Sequence, residues 1–176
     1  MQTITDALAG VTRFTYDGNG NLLTLTDARP NPPTVYTYDS MDRLATRTDP
    51  LGATESFGYD LAGNLTARTD RKGQVSTLAY DALNRLTTAS YSDGSGMGYR
   101  YDAGGRLIRV DDATGGTMTN AYDALDRLLA QSTQLGAVGY AYDAIGRRTQ
   151  LTVPNLTPTT YAYDDTSRLI AIARGA

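Results

Sequence analysis

Three side-chain types, tyrosine, aspartate and arginine, hold nearly all the chemistry in this sequence, and they come in a fixed order. Tyr-Asp stands at Tyr16-Asp17, Tyr38-Asp39, Tyr59-Asp60, Tyr80-Asp81, Tyr101-Asp102, Tyr122-Asp123, Tyr142-Asp143 and Tyr163-Asp164, spaced by 22, 21, 21, 21, 21, 20 and 21 residues. Four residues after each motif aspartate comes Arg43, Arg85, Arg106, Arg127, Arg147 or Arg168, with Asn21 and Asn64 in the two other units. Phenol faces and guanidinium planes stack on sugars and single-stranded bases, so such a series could form a binding ladder. The same groups could instead stack between neighbouring strands, at about 0.2–1 kcal/mol per pair, and we favour that structural role.

Other chemistry is poorly supplied. Histidine and cysteine are both absent, which removes the commonest general base, the commonest metal ligand and any disulfide or thiolate. Clustered carboxylates suit calcium, yet no Gly-Gly-x-Gly-x-Asp nonapeptide occurs, and only Asp111-Asp112 and Asp164-Asp165 are adjacent. The motif aspartates have turn amides to accept, so no metal or other cofactor is expected. Serine or threonine nucleophiles have no histidine, and nothing marks Lys72 as a buried base. An aspartyl dyad stays open, since spacing alone neither brings two carboxylates together nor keeps them apart. The expectation is a protein that is not an enzyme.

The residue choices are skewed in a way that points to fixed positions. There are 15 Arg against one Lys, and 18 Asp against one Glu, Glu55. Arginine offers a planar fork and aspartate a short carboxylate that organises turns. A net charge of −3 with no basic run argues against nucleic acid as a partner. No apolar stretch approaches the roughly 18 residues of a membrane-spanning helix. The start, Met1-Gln-Thr-Ile-Thr, has neither the basic nor the apolar region of a signal peptide.

The elements that position these groups follow from the repeat. Two residues before the motif tyrosine stand Phe14, Tyr36, Phe57, Leu78, Tyr99, Asn120, Tyr140 and Tyr161, on the same face of an extended strand. Of 15 aromatic residues only Tyr91 lies off this stripe. With no Trp and 13 Tyr, aromatic burial must come mainly from tyrosine, which predicts a layered, partly wet core. Three residues beyond each motif aspartate is Gly20, Asp42, Gly63, Asn84, Gly105, Asp126, Gly146 or Ser167, nearly all types that tolerate positive φ. That predicts a type I turn closed by a left-handed residue, with the motif aspartate capping its amides. A second strand follows, such as Arg106-Leu-Ile-Arg-Val110, and then an outer turn such as Thr69-Asp70-Arg-Lys-Gly73. All six prolines fall in these outer segments, where no ladder amide is needed. Each unit is therefore a hairpin, and eight give about 16 antiparallel strands at about 4.8 Å each. A ribbon of that size is expected to curl, each hairpin resting on its neighbours. The chain reads as one array over residues 1–176, with a half unit at 5–15 and an incomplete last unit from Tyr163.

Tyr80-Asp-Ala-Leu-Asn-Arg-Leu86, Tyr101-Asp-Ala-Gly-Gly-Arg-Leu107 and Tyr122-Asp-Ala-Leu-Asp-Arg-Leu128 resemble the YD repeats of the RHS (rearrangement hot spot) proteins. The resemblance covers virtually the whole chain. It implies an all-β fold of tandem hairpins forming a curved or spiralling antiparallel sheet, part of a shell. In insecticidal toxin complexes and bacterial polymorphic toxins such shells enclose a C-terminal toxic domain, and in teneurins they display adhesive surfaces. The implied function is a structural shell segment that encapsulates or carries a toxin or effector, secreted or at the cell surface. The alternative is an adhesive module binding glycan or protein, for instance through Tyr99, Tyr101 and Arg106. Implied partners are other YD repeats of the parent chain, copies of the chain joined through edge strands, an encapsulated toxin domain or a glycan. The family's self-cleaving segments carry paired Asp-Pro-x-Gly motifs. Here one copy occurs, Asp49-Pro50-Leu51-Gly52, and it reads as an ordinary turn.

Overall fold

The computed structural model describes residues 1–175 and contains seventeen β-strands and no helix among them. The chain divides into two compact units, Met1–Gly94 and Ser95–Ala176. The first unit holds β1 (Gln2–Thr5), β2 (Val11–Tyr16), β3 (Leu22–Thr26), β4 (Thr34–Tyr38), β5 (Leu44–Thr48), β6 (Thr54–Tyr59), β7 (Leu65–Thr69), β8 (Val75–Tyr80) and β9 (Leu86–Tyr91). The second holds β10 (Gly96–Tyr101), β11 (Leu107–Asp112), β12 (Thr117–Tyr122), β13 (Leu128–Thr133), β14 (Gly136–Tyr142), β15 (Arg148–Thr152), β16 (Thr159–Tyr163) and β17 (Leu169–Arg174). Within each unit every strand pairs antiparallel with the next in sequence. Strands are short, rich in Thr, Leu and Tyr, and none contains proline, as a ladder of amide donors requires.

Every motif hairpin carries the same irregularity. Tyr16 pairs with Leu22 while Thr15 pairs with Thr24, so the second strand holds one extra residue. The same step recurs at Tyr38, Tyr59 and Tyr80 in the first unit and at Tyr101, Tyr122, Tyr142 and Tyr163 in the second. A bulge at a fixed place bends and twists the strand locally, and its repetition fixes which residues face which side.

Neither unit builds a layered core of its own. Among the described residues those buried outright are Ala89, Thr34 and Glu55. All three lie on the face of the motif tyrosines, at positions four before or nine after one of them. There they pair into rows such as Tyr36, Arg47 and Glu55 across β4, β5 and β6. On the other face threonines meet across strands, Thr15 with Thr24 and Thr37 with Thr46, each hydroxyl pair at 2.6 Å. The expectation of buried tyrosine layers is thus corrected. Each unit is a single-layer meander, so its aromatic rings are half-covered, and polar pairs and hydrogen bonds take a large share of the stabilisation.

Candidate functional site

The motif turn is built by one carboxylate. The Asp123 amide donates to the Arg127 carbonyl at 3.0 Å, and the Asp126 amide donates back to the Asp123 carbonyl at 3.2 Å. Asp123 Oδ1 accepts the amides of Leu125 and Arg127 at 2.8 and 3.0 Å, and Oδ2 accepts Arg127 Nε at 2.6 Å. Asp39, Asp143 and Asp164 repeat the arrangement with Arg43, Arg147 and Arg168, and Asp81 and Asp102 hold Arg85 and Arg106 likewise. Asp17 and Asp60 hold Asn21 and Asn64 through the carboxamide, both at 2.9 Å. The fourth turn residue has positive φ in all eight units, including Asp42 at 58°, Asn84 at 59°, Asp126 at 61° and Ser167 at 65°. A side-chain cap and a left-handed fourth residue together satisfy the turn without help from elsewhere.

The arginine then reaches the next hairpin. Arg43, Arg106, Arg127 and Arg147 donate through Nη1 to the backbone carbonyls of Asp60, Asp123, Asp143 and Asp164, at 2.7–3.1 Å. The same four guanidinium groups lie over the rings of Tyr59, Tyr122, Tyr142 and Tyr163, 4.7–5.1 Å from the centroids. Five motif tyrosine hydroxyls in turn are seen to reach back. Tyr38, Tyr59, Tyr122, Tyr142 and Tyr163 donate to the carbonyls of Leu22, Leu44, Leu107, Leu128 and Arg148, at 2.9–3.1 Å. Neighbouring hairpins are therefore joined by a guanidinium going forward and a phenol going back. Where asparagine replaces arginine, Asn21 reaches Asp42 at 2.6 Å and Asn64 reaches Asn84 at 2.8 Å.

These bonds hold the carboxylates in their ionised form. Asp81 and Asp143 are lowered below the usual carboxylate range chiefly by hydrogen bonds from Arg85 and Arg147. Asp164 falls to about 2, through the Thr166 hydroxyl first and then the Arg168 amide and guanidinium. A carboxylate that accepts several donors favours its charged form. Such an ion is a committed turn cap, a poor general base and a poor free ligand. Among the described residues no three acidic side chains converge to hold a metal ion.

Sequence spacing did not reveal two further groups. Glu55 accepts Arg68 at 2.8 Å and Arg47 at 3.4 Å, tying β6 to both neighbours; Arg47 is its direct cross-strand partner, and Arg68 reaches it diagonally from opposite Phe57. Its only sequence signal is that it is the sole glutamate. The outer turns also reuse the motif-turn chemistry. Asp6, Asp49, Asp70 and Asp112 each stand ten residues before a motif tyrosine, and each caps its own turn. In the Asp49-Pro50-Leu51-Gly52 turn the carboxylate accepts the amides of Leu51 and Ala53 at 2.9 and 3.0 Å, and Gly52 has φ of 84°.

A family model described as Teneurin YD-shell matches the chain over residues 1–115 and again over 31–175. Among solved structures, a mutant Tc holotoxin pore from Photorhabdus luminescens superposes with a TM-score of 0.60 at 16% identity, covering 97% of this chain and 12% of that one. A TcdB2-TccC3 crystal structure superposes with 0.61 at 21% identity, covering 92% and 9%. The chain thus spans roughly a tenth of these solved chains, and the likeness at such identity concerns the fold. No curated protein matches the sequence.

Proposed function

Because this chain belongs to the teneurin YD-shell family, we propose that it is a length of shell wall whose parent protein encloses or carries a C-terminal toxin or effector. The observation that supports this reading most is the join between hairpins. An arginine forward and a tyrosine back repeat at junction after junction, so hairpins add in series without a central core. A wall needs that property, and a catalytic site needs the opposite, polar groups left available. Arg43, Arg106, Arg127 and Arg147 are already engaged on both sides, which favours the structural role over an adhesive Tyr and Arg ladder. One solved structure that shares the fold is a Tc holotoxin pore, in keeping with a secreted, non-catalytic shell part. The strand β17 is exposed along its whole length, with Leu169, Ile170 and Ile172 outward, and suits pairing with a further repeat or a second copy.

The test is to sequence the coding region on both sides of this segment in its native source. Tyr-Asp units continuing into paired Asp-Pro-x-Gly motifs and an unrelated C-terminal domain are expected. A reading frame that stops close to both ends would overturn the shell reading and leave a self-assembling or adhesive module.

A further inference from the structure

We propose that the recess beside Tyr91 in the first unit is a saccharide subsite that takes one neutral or N-acetylated hexopyranose ring. This goes beyond the shell reading and does not depend on it. The recess measures about 170 Å³, and Arg68, Asp70, Gln74, Ser76, Tyr91 and Asp93 are among its lining residues. Arg68, Ser76 and Tyr91 stand in one cross-strand row on β7, β8 and β9.

The repeat itself shows that the backbone makes this recess and the side chains choose its chemistry. In the second unit a cavity of about 370 Å³ is lined by the same positions, each number raised by 42, together with Met97. There Val110, Gly116, Met118, Thr133 and Leu135 stand for Arg68, Gln74, Ser76, Tyr91 and Asp93, giving an apolar surface. One repeat earlier, Ala53, Glu55, Asp70 and Lys72 stand for Gln74, Ser76, Tyr91 and Asp93, giving a charged one. Of the three recesses only the middle one has an aromatic ring, and Tyr91 is the one aromatic residue of the chain outside the repeat stripe.

The groups around it match a sugar. Tyr91 is 46% exposed, so its ring can stack on the C–H face of a pyranose while its hydroxyl stays wet. The Gln74 carboxamide and the Ser76 hydroxyl each donate and accept, Arg68 donates, and the Asp93 carboxylate and Asp70 Oδ2 accept, Asp70 Oδ1 being taken by the Lys72 and Gln74 amides of its own turn. Arg68 is already held by Glu55 at 2.8 Å, which fixes its fork and offsets its charge. The remaining lining charge is negative, so uronic and sialic acids are disfavoured and neutral rings preferred.

Saturation-transfer NMR on the whole chain tests this, using the methyl glycosides of glucose, galactose, mannose and N-acetylglucosamine. Transfer to at least one is expected, unchanged by a chelator. Tyr91→Ala should weaken binding roughly tenfold, the loss of one stacking partner, and Tyr91→Phe should keep it. Gln74→Ala, on the exposed turn, should also weaken binding with an unaltered melting temperature, and Leu135→Ala in the apolar counterpart should have no effect. The proposal is overturned by no transfer from any glycoside, by an affinity left undiminished in Tyr91→Ala, by transfer lost with the chelator, or by equal loss in Leu135→Ala.

Discussion

Replacing Tyr142 by Phe removes one atom from a hairpin junction and leaves the rest. The hydroxyl donates to the Leu128 carbonyl at 2.9 Å, and the ring, which Phe keeps, lies 4.9 Å from the Arg127 guanidinium carbon. A part-buried hydrogen bond to a neutral carbonyl contributes about 1 kcal/mol net. In a folding unit of this size a loss of about 1 kcal/mol lowers the melting temperature by roughly 4–8 °C. Tyr122→Phe removes the equivalent bond to Leu107 at 3.1 Å and should cost a similar amount. The two junctions lie two strands apart, roughly 10 Å, so the double variant should lose about the sum. Tyr163→Phe should lose less, because its bond to Arg148 is solvent-exposed. Thermal melts followed by circular dichroism measure all four. The reasoning fails if Tyr142→Phe melts with the parent chain while Tyr142→Leu does not, since ring packing alone would then join the hairpins.

Other outcomes follow from the same geometry. Folded-state carboxyls lowered below their unfolded value stabilise the fold above that value and lose their contribution as pH falls through the folded one. With Asp81, Asp143 and Asp164 all lowered, and Asp164 to about 2, stability should hold down to about pH 4 and decline as pH falls further, as an acid titration of the far-UV signal would record. Gly63→Ala meets no atom within 4 Å but forces a side chain to φ of 92°, so chemical denaturation should show a loss of about 1–2 kcal/mol of backbone strain alone. Arg106→Lys cannot span Asp102, the Asp123 carbonyl and Asp126 together, whereas Arg29, itself largely exposed, pairs with Asp27. Arg106→Lys should therefore lower the melting temperature clearly and Arg29→Lys hardly at all.

The motif turn was legible because its causes are local. An aspartate that caps and a fourth residue that tolerates positive φ are written within five consecutive positions, and even Ser167 obeys at 65°. The strand count came close, about 16 expected against seventeen, because the half unit before Phe14 starts earlier, with Gln2–Thr5 paired to β2. The core was misjudged because thirteen tyrosines look the same in sequence whether their rings are buried between layers or half-covered on one. What decides is the partner of the hydroxyl, a carbonyl 14 to 16 residues back, and carbonyls have no letter in a sequence. Glu55 was invisible for a related reason. Its partners Arg47 and Arg68 come from neighbouring strands in a register that the bulges set.

The two edges of each hairpin divide the work differently, and this explains where the sequence is strict. At the motif edge one aspartate must cap its turn and hold an arginine, and that arginine must reach the next hairpin's carbonyl and ring. A change at any of these positions disturbs two hairpins at once. At the outer edge the turn aspartate caps its own loop, as Asp49 and Asp70 do, and its tie to the neighbouring turn is looser, as in the long Asp49–Arg71 pair at 3.4 Å. Prolines, length changes and unlike side chains can therefore collect there without loosening the junctions. The three outer recesses, charged, polar with Tyr91 and apolar, follow from that freedom. A wall built this way keeps its joins constant while one margin remains open to acquire binding chemistry, so new specificity in such a strip is to be sought at the outer turns and not along the Tyr-Asp stripe.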